Sequence, residues 1–267
     1  LSGSSHDLAH SDEADHRNRR RDGLFHGPAA DHRAAVLMKP AFALEIEETK
    51  DVLFLDGIYL GRKACVLICC DEKNVLGWYL CRYEHAGAWI ALMKRIAEPR
   101  MVVSDGGTGF AKALKKVWPI AKHQRCIFHV FCQIKRYITS KPNTLAGIEL
   151  YCLAKDLLKI KEKQEAETWV TRFTEWIKKY QEFLSEMTVD EHGNKRPTHE
   201  RLLKAERSLL KLIKENILFT YLDKEFINDF IAPSTNNRIE GGINSRLREM
   251  LRNHRGLSIE RRIKAVY

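Results

Sequence analysis

The chain has 267 residues, 44% hydrophobic and 30% charged, which supplies a core for one large domain or two small ones and excludes wholesale disorder. Lysine and arginine number 45 against 35 acids, a net charge of +10 that points to a polyanionic partner, nucleic acid before an anionic membrane surface. No apolar run reaches the roughly 18 residues of a membrane span, no secretory signal opens the sequence, and the seven cysteines read as reduced intracellular thiols rather than a disulfide framework.

Residues 1–45 differ from the rest. The first 40 hold five of the eleven histidines, an arginine cluster from Arg17 to Arg21, and six basic residues balanced by six acids. No helical or strand period survives, so this stretch is expected to be a disordered tail, its irregularly spaced histidines forming no metal site. The sequence opens on Leu1 and stops at Tyr267 within a helical pattern, as expected of a truncated chain.

From residue 50 the pattern sharpens. Apolar runs at 52–56, 64–70 and 75–82 predict three consecutive antiparallel strands, the last two joined by a polar turn at 71–74. Residues 86–97 predict a helix, with Trp89, Leu92, Met93 and Ile96 at helical spacing and Pro99 as its breaker. Residues 101–104 predict a buried strand ending at Asp105, followed by a Gly106-Gly107 turn and a helix over 111–118. A fifth strand at 120–126 and a helix at 127–138 complete the order βββαβαβα, which predicts a mixed sheet flanked by helices over 50–143.

Residues 144–232 read as helical throughout, with three apolar stripes of ordinary core character and a polar loop at 190–197. The last part, 233–267, holds an amphipathic helix from Thr235 to about Leu251, with Ile239, Ile243, Leu247 and Met250 facing inward.

Three acids stand out: Asp56 and Asp105, each where an apolar run meets a glycine, and Glu240 on the last helix. Converging carboxylates would hold hard divalent cations, and two such ions can activate an oxygen nucleophile and stabilise a leaving oxygen. Each has a plainer reading. Asp56-Gly57 and Asp105-Gly106 are common turn pairs, and Glu240 stands at capping-box spacing from Asn237. Their matching places in one βββαβαβα scheme favour the shared site.

His123, Cys126, His129 and Cys132 recur every third residue, but on a helix they would point around the axis, so zinc is not expected. A packed Cys126 and a hydrogen-bonded His129 beside the site are expected instead. Residues 238–264 carry eight basic residues against three acids. Arg238, Arg246, Arg248 and Arg252, with Arg125, Lys135 and Arg136 further upstream, are candidate contacts to a phosphate backbone, with a solvated helix face as the alternative for each.

Four strings occur in order: Leu-Asp-Gly-Ile-Tyr-Leu at 55–60, Val-Ser-Asp-Gly at 103–106, Gln-Arg-Cys-Ile-Phe-His at 124–129, and Thr-Asn-Asn-Arg-Ile-Glu at 235–240. Together they resemble the catalytic core of a Mutator-type bacterial insertion-sequence transposase over about residues 50–267. The resemblance implies an RNase H-like fold interrupted by an all-helical insertion, here 144–232. It also implies a DDE triad of Asp56, Asp105 and Glu240 holding Mg²⁺ or Mn²⁺, with Cys126 and His129 as an accessory pair. The implied partner is DNA, both terminal inverted repeats and target, handled by a homo-oligomer assembled on it in the bacterial cytoplasm at the nucleoid. Two departures stand beside it: residues 1–40 do not resemble the family's inverted-repeat-binding region, and the family's chain usually continues past the position of Tyr267. Two rival readings share these residues: a stand-alone RNase H-like nuclease, and a decayed or domesticated copy that binds DNA without cutting it.

Overall fold

The computed structural model describes residues 45–254 and 256–266, with the side chains of Arg238, Glu240 and Val266 outside that description. The tail expected over 1–45 lies, but for its last residue, outside the described residues.

Five strands form one mixed sheet in the order β3-β2-β1-β4-β5. They are β1 (Val52–Tyr59), β2 (Cys65–Cys70), β3 (Val75–Cys81), β4 (Met101–Ser104) and β5 (Lys122–Arg125). The first three pair antiparallel, as the hairpin pattern predicts, while β4 pairs parallel to both β1 and β5. Helices α1 (Ala86–Met93) and α2 (Thr108–Val117) connect β3 to β4 and β4 to β5, and α3 (Ile127–Ile138) follows β5.

Both faces of the sheet are covered, which is why β1 and β2 read as nearly unbroken apolar runs. Side chains alternate along β1. Leu53 and Leu55 pack with Trp89, Leu92, Phe110 and Trp118 of the α1–α2 side. Val52 and Phe54 pack on the opposite side with Ile127, Val130 and Ile134 of α3. That second cluster runs on without a break into residues 144–232, through Trp169, Phe173 and Trp176. Gln124, fully buried on β5, ties the two parts by polar contacts: its Nε2 donates to Leu218 O and its Oε1 accepts Tyr221 N–H.

Several boundaries differ from expectation. β1 runs three residues past Asp56, and Gly57 pairs with Leu67, so Asp56-Gly57 is strand and not a turn. α1 stops at Met93 because the backbone of 95–97 is taken by an extended bridge, Ile46 N–H to Arg95 O and Ala97 N–H to Ile46 O. α2 begins three residues early, at Thr108. The stretch 144–232 is not all-helical. Between α4 (Leu145–Asp156), α5 (Lys163–Lys179), α6 (Gln181–Ser185) and α7 (Glu200–Lys214) lies a hairpin of β6 (Met187–Val189) and β7 (Lys195–Pro197), within the expected polar loop. The last helix starts at Arg238. Its first seven residues, Arg238–Asn244, are π-helical, α8 (Ser245–Asn253) continues it, and α9 (Ile259–Val266) follows. Ile243, Leu247, Leu251, Ile259 and Ile263 of these helices cover Ile58, Val66 and Ile68.

Candidate active site

The parallel pairing of β1 and β4 sets Leu55 against Ser104. The next residue in each case is an acid, so the register brings Asp56 and Asp105 to the same edge of the sheet. Asp56 shares its face of β1 with Phe54 and Ile58, a charged group in an otherwise apolar stripe. It is only 7% exposed. Its Oδ1 accepts the Gly57 N–H at 2.9 Å and its Oδ2 accepts Nδ2 of Asn244 at 2.6 Å.

Asp105 follows β4 at a tight turn. Its Oδ1 accepts the Gly107 N–H, and the Gly106 N–H donates to Ser104 Oγ at 3.1 Å. Gly106 has φ +76°, and a Cβ there would lie 2.6 Å from Cδ of Arg125. Glycine is required on both counts. Arg125 thus lies across the turn, with Nη2 donating to Gln133 Oε1. Burial lowers its pKa, and the Asp105 carboxylate opposes that shift.

Ser104 Oγ also meets His123 Nε2 at 2.9 Å. With the Oγ lone pair given to Gly106, the hydroxyl proton is free to donate to the ring, an arrangement suited to neutral imidazole. Burial, and then the positive charge of Arg125, hold the His123 pKa down at about 4.

The segment before the last helix is pinned to the sheet beside these acids. Asn236 is fully buried. Its backbone N–H donates to Cys126 Sγ at 3.2 Å, and its Nδ2 donates to Leu55 O at 3.3 Å. Ile127 N–H donates to Ser234 O, and Cys126 N–H to Ser104 O. Cys126, fully buried, therefore joins β4, α3 and the 234–236 segment. His129 lies one turn along α3, half-buried. Glu240 lies on the π-helical segment this anchor introduces, four residues before Asn244; its side chain, like that of Arg238, is outside the described set. Asn237 makes no side-chain capping bond, so the capping-box alternative gains no support.

Arg246, Arg248 and Arg252 are exposed on α8, and Lys135 and Arg136 are exposed at the far end of α3. Arg125 is different, half-buried against the Asp105 turn.

Two neighbours of the acids escape the sequence reading. Asn244 is one. Glu84, between β3 and α1, is the other. A Cβ on Gly57 would come within 2.5 Å of Glu84 Oε1, so this carboxylate fills the space that the missing side chain leaves. Its other oxygen reaches the Asp105 turn: a Cβ on Gly107 would lie 3.9 Å from Glu84 Oε2 and 4.0 Å from Asp105 Oδ1. Burial pushes the Glu84 carboxyl up to about 7, with the charges of Asp105 and Asp56 adding to the rise and neighbouring Tyr59 and Trp89 opposing it.

Among the described residues, no three His, Cys, Asp or Glu side chains are gathered closely enough to hold a metal ion. Asp56 and Asp105 nevertheless offer oxygen donors, the chemistry that suits Mg²⁺ or Mn²⁺. Their effect on Glu84 marks a local excess of negative charge that a cation would offset. Among the described residues, no helix is long and apolar enough to cross a membrane.

Fold and site together define an α/β protein with an acidic site at the carboxyl edge of its parallel strands. Residues 64–256 match the Mutator family of transposases, and the chain belongs to that family. It is 32% identical to the transposase for insertion sequence element IS905 of Lactococcus lactis subsp. lactis (strain IL1403), over 32% of this chain and 26% of that protein. It is 30% identical to the transposase for insertion sequence element IS6120 of Mycolicibacterium smegmatis, over 39% of this chain and 38% of that protein. The chain thus spans well under half the length of either relative.

Proposed function

We propose that this chain is the catalytic part of a DNA transposase, cutting at transposon ends and joining the freed 3′-hydroxyls to target DNA. The observation that carries the reading is the parallel Leu55–Ser104 pairing, which brings two acids of the family motif to one sheet edge. The strand order β3-β2-β1-β4-β5 supports an RNase H-like core, and residues 144–232 are its insertion, fused to it through a common hydrophobic cluster.

Asp56, Asp105 and Glu240 are the residues that would hold Mg²⁺ or Mn²⁺. When bound, the ions supply activation of the attacking oxygen and stabilisation of the leaving oxygen. The chain's own groups prepare that site. Asn244 fixes one oxygen of Asp56 and leaves the other beside the Gly57 amide. Gly107 orients Asp105. Cys126 anchors the segment leading to Glu240, and the exposed Arg246, Arg248 and Arg252 contact backbone phosphates. The protein acts on DNA in the bacterial cytoplasm, as a homo-oligomer assembled on transposon ends.

The test is a Mn²⁺-dependent cleavage and joining assay on labelled duplexes carrying the element's ends. Asp56→Asn, Asp105→Asn and Glu240→Gln are each expected to abolish both steps while keeping the native circular dichroism spectrum. Cleavage that survives one substitution removes that residue from the triad. Cleavage without joining identifies a nuclease instead, and salt-sensitive binding with neither step identifies a DNA-binding copy.

A further inference from the structure

A second basic surface lies away from the acids, where the far end of α3 meets the hairpin and the start of α7. A cleft of about 430 Å³ opens there, lined by Lys141, Arg196 and Arg201 among threonines and Pro142. Arg201 Nη2 donates to Arg136 O, which fixes the two elements together. Lys135, Arg136, Lys141, Lys195, Arg196 and Arg201 are all exposed. Of the nearby acids, Glu200 pairs with Lys204 at 2.6 Å and Glu186 with His199 at 3.0 Å, while Asp190, at the hairpin turn beside Glu191, accepts from the His192 and Asn194 backbone N–H groups. Lys141, Lys195 and Arg196 close no ion pair among the described residues.

We infer that this surface, built from the end of α3 and the β6–β7 hairpin of the insertion, is a second docking site for the phosphate backbone of duplex DNA. It rests on the proposed DNA-handling function and adds where the flanking duplex lies. The occupant must be polyanionic and extended, because the cations come from three elements around an open cleft. The distance fits as well. α3 starts at Ile127, next to the Cys126 that bonds Ser104, and its 12 residues carry the chain roughly 18 Å from the acids. That is about five nucleotide steps along a strand. A duplex with its scissile phosphate at Asp56 and Asp105 would lay its flank across Lys141 and Arg196. Contacts of this kind position without reading sequence.

The test is fluorescence anisotropy of the chain with a labelled 30-base-pair duplex of arbitrary sequence, titrated with salt. The triple variant Lys141→Gln, Lys195→Gln, Arg196→Gln is compared with Lys112→Gln, Lys115→Gln, Lys116→Gln on α2, which removes the same charge from the opposite side of the sheet. The first triple is expected to weaken binding at about 0.1 M salt by tenfold or more and to flatten the log–log salt slope by about 3, near 0.9 per lost phosphate contact. The α2 triple is expected to stay within about twofold of the unsubstituted chain. Unchanged binding by the first triple, or equal weakening by both, overturns the second docking site and leaves the transposase reading intact. Absence of duplex binding by the unsubstituted chain overturns both.

Discussion

Nδ2 of Asn244 donates to Oδ2 of Asp56 at 2.6 Å, a bond between residues 188 positions apart in the chain. Both residues are buried, and the acceptor is a carboxylate at the sheet edge. A hydrogen bond to a charged group contributes about 1.5–3 kcal/mol. Asn244→Ala is therefore expected to lower the urea midpoint by a corresponding amount. Asn244→Asp should be worse at pH 7, because a second carboxylate replaces the amide donor. An unchanged midpoint in both variants would show that the bond does not hold the last helix to β1.

Gly61 and Gly106 provide a matched pair. Both have positive φ, +72° and +76°, but a Cβ on Gly61 would meet nothing within 4 Å, whereas one on Gly106 would collide with Arg125. Gly61→Ala should cost the left-handed strain alone, about 1–2 kcal/mol. Gly106→Ala should cost more, because Arg125 must also leave the Asp105 turn. Denaturation curves that give equal losses would mean that Arg125 moves aside freely.

His123 sets a pH dependence of known sign. Its folded-state pKa, about 4, lies below the ordinary 6.5. The unfolded chain therefore binds the proton first. The stability linked to the neutral ring is complete above about pH 6.5 and is lost as pH falls toward 4. The imidazole resonance followed by NMR should titrate near 4, and the stability advantage over His123→Gln should shrink across that window. A midpoint near 6.5 would mean an exposed ring and no bond to Ser104.

Trp169 tests whether residues 144–232 form a separate domain. It is buried, donates Nε1 to Leu153 O at 2.8 Å, stacks on Phe173, and shares one cluster with Val52 and Phe54 of β1. Trp169→Ala should cost about 3–5 kcal/mol. Far-UV and near-UV signals should shift together in a single transition. Two separated transitions would show that residues 144–232 fold alone.

The strands and the position of Asp105 were legible because a buried strand followed by Asp-Gly-Gly leaves a strong local pattern. Asp56 was legible as an acid but misplaced in its element, since Gly57 reads as a turn residue until β2 is there to pair with it. Asn244 and Glu84 were not legible. The first touches Asp56 only through tertiary packing, and the second lies in a polar stretch that gives no hint of the space above Gly57. The β6–β7 hairpin reads as loop because its strands are short and largely exposed on both sides, leaving no alternation to detect. The end of α1 and the start of α2 shifted because backbone hydrogen bonds to Ile46 and Gly107 decide them, and those partners carry no periodic signal.

The Cys126–Asn236 contact makes the burial of one sulfur and the seating of the Glu240-bearing segment a single event. The thiol is shut off from solvent while the 234–236 segment sits against it. A reagent that modifies Cys126 therefore counts openings of that segment, and its rate is a clock for how often the last helix leaves the sheet edge. Binding that steadies the third acid would slow this clock, with no catalytic turnover needed to read it.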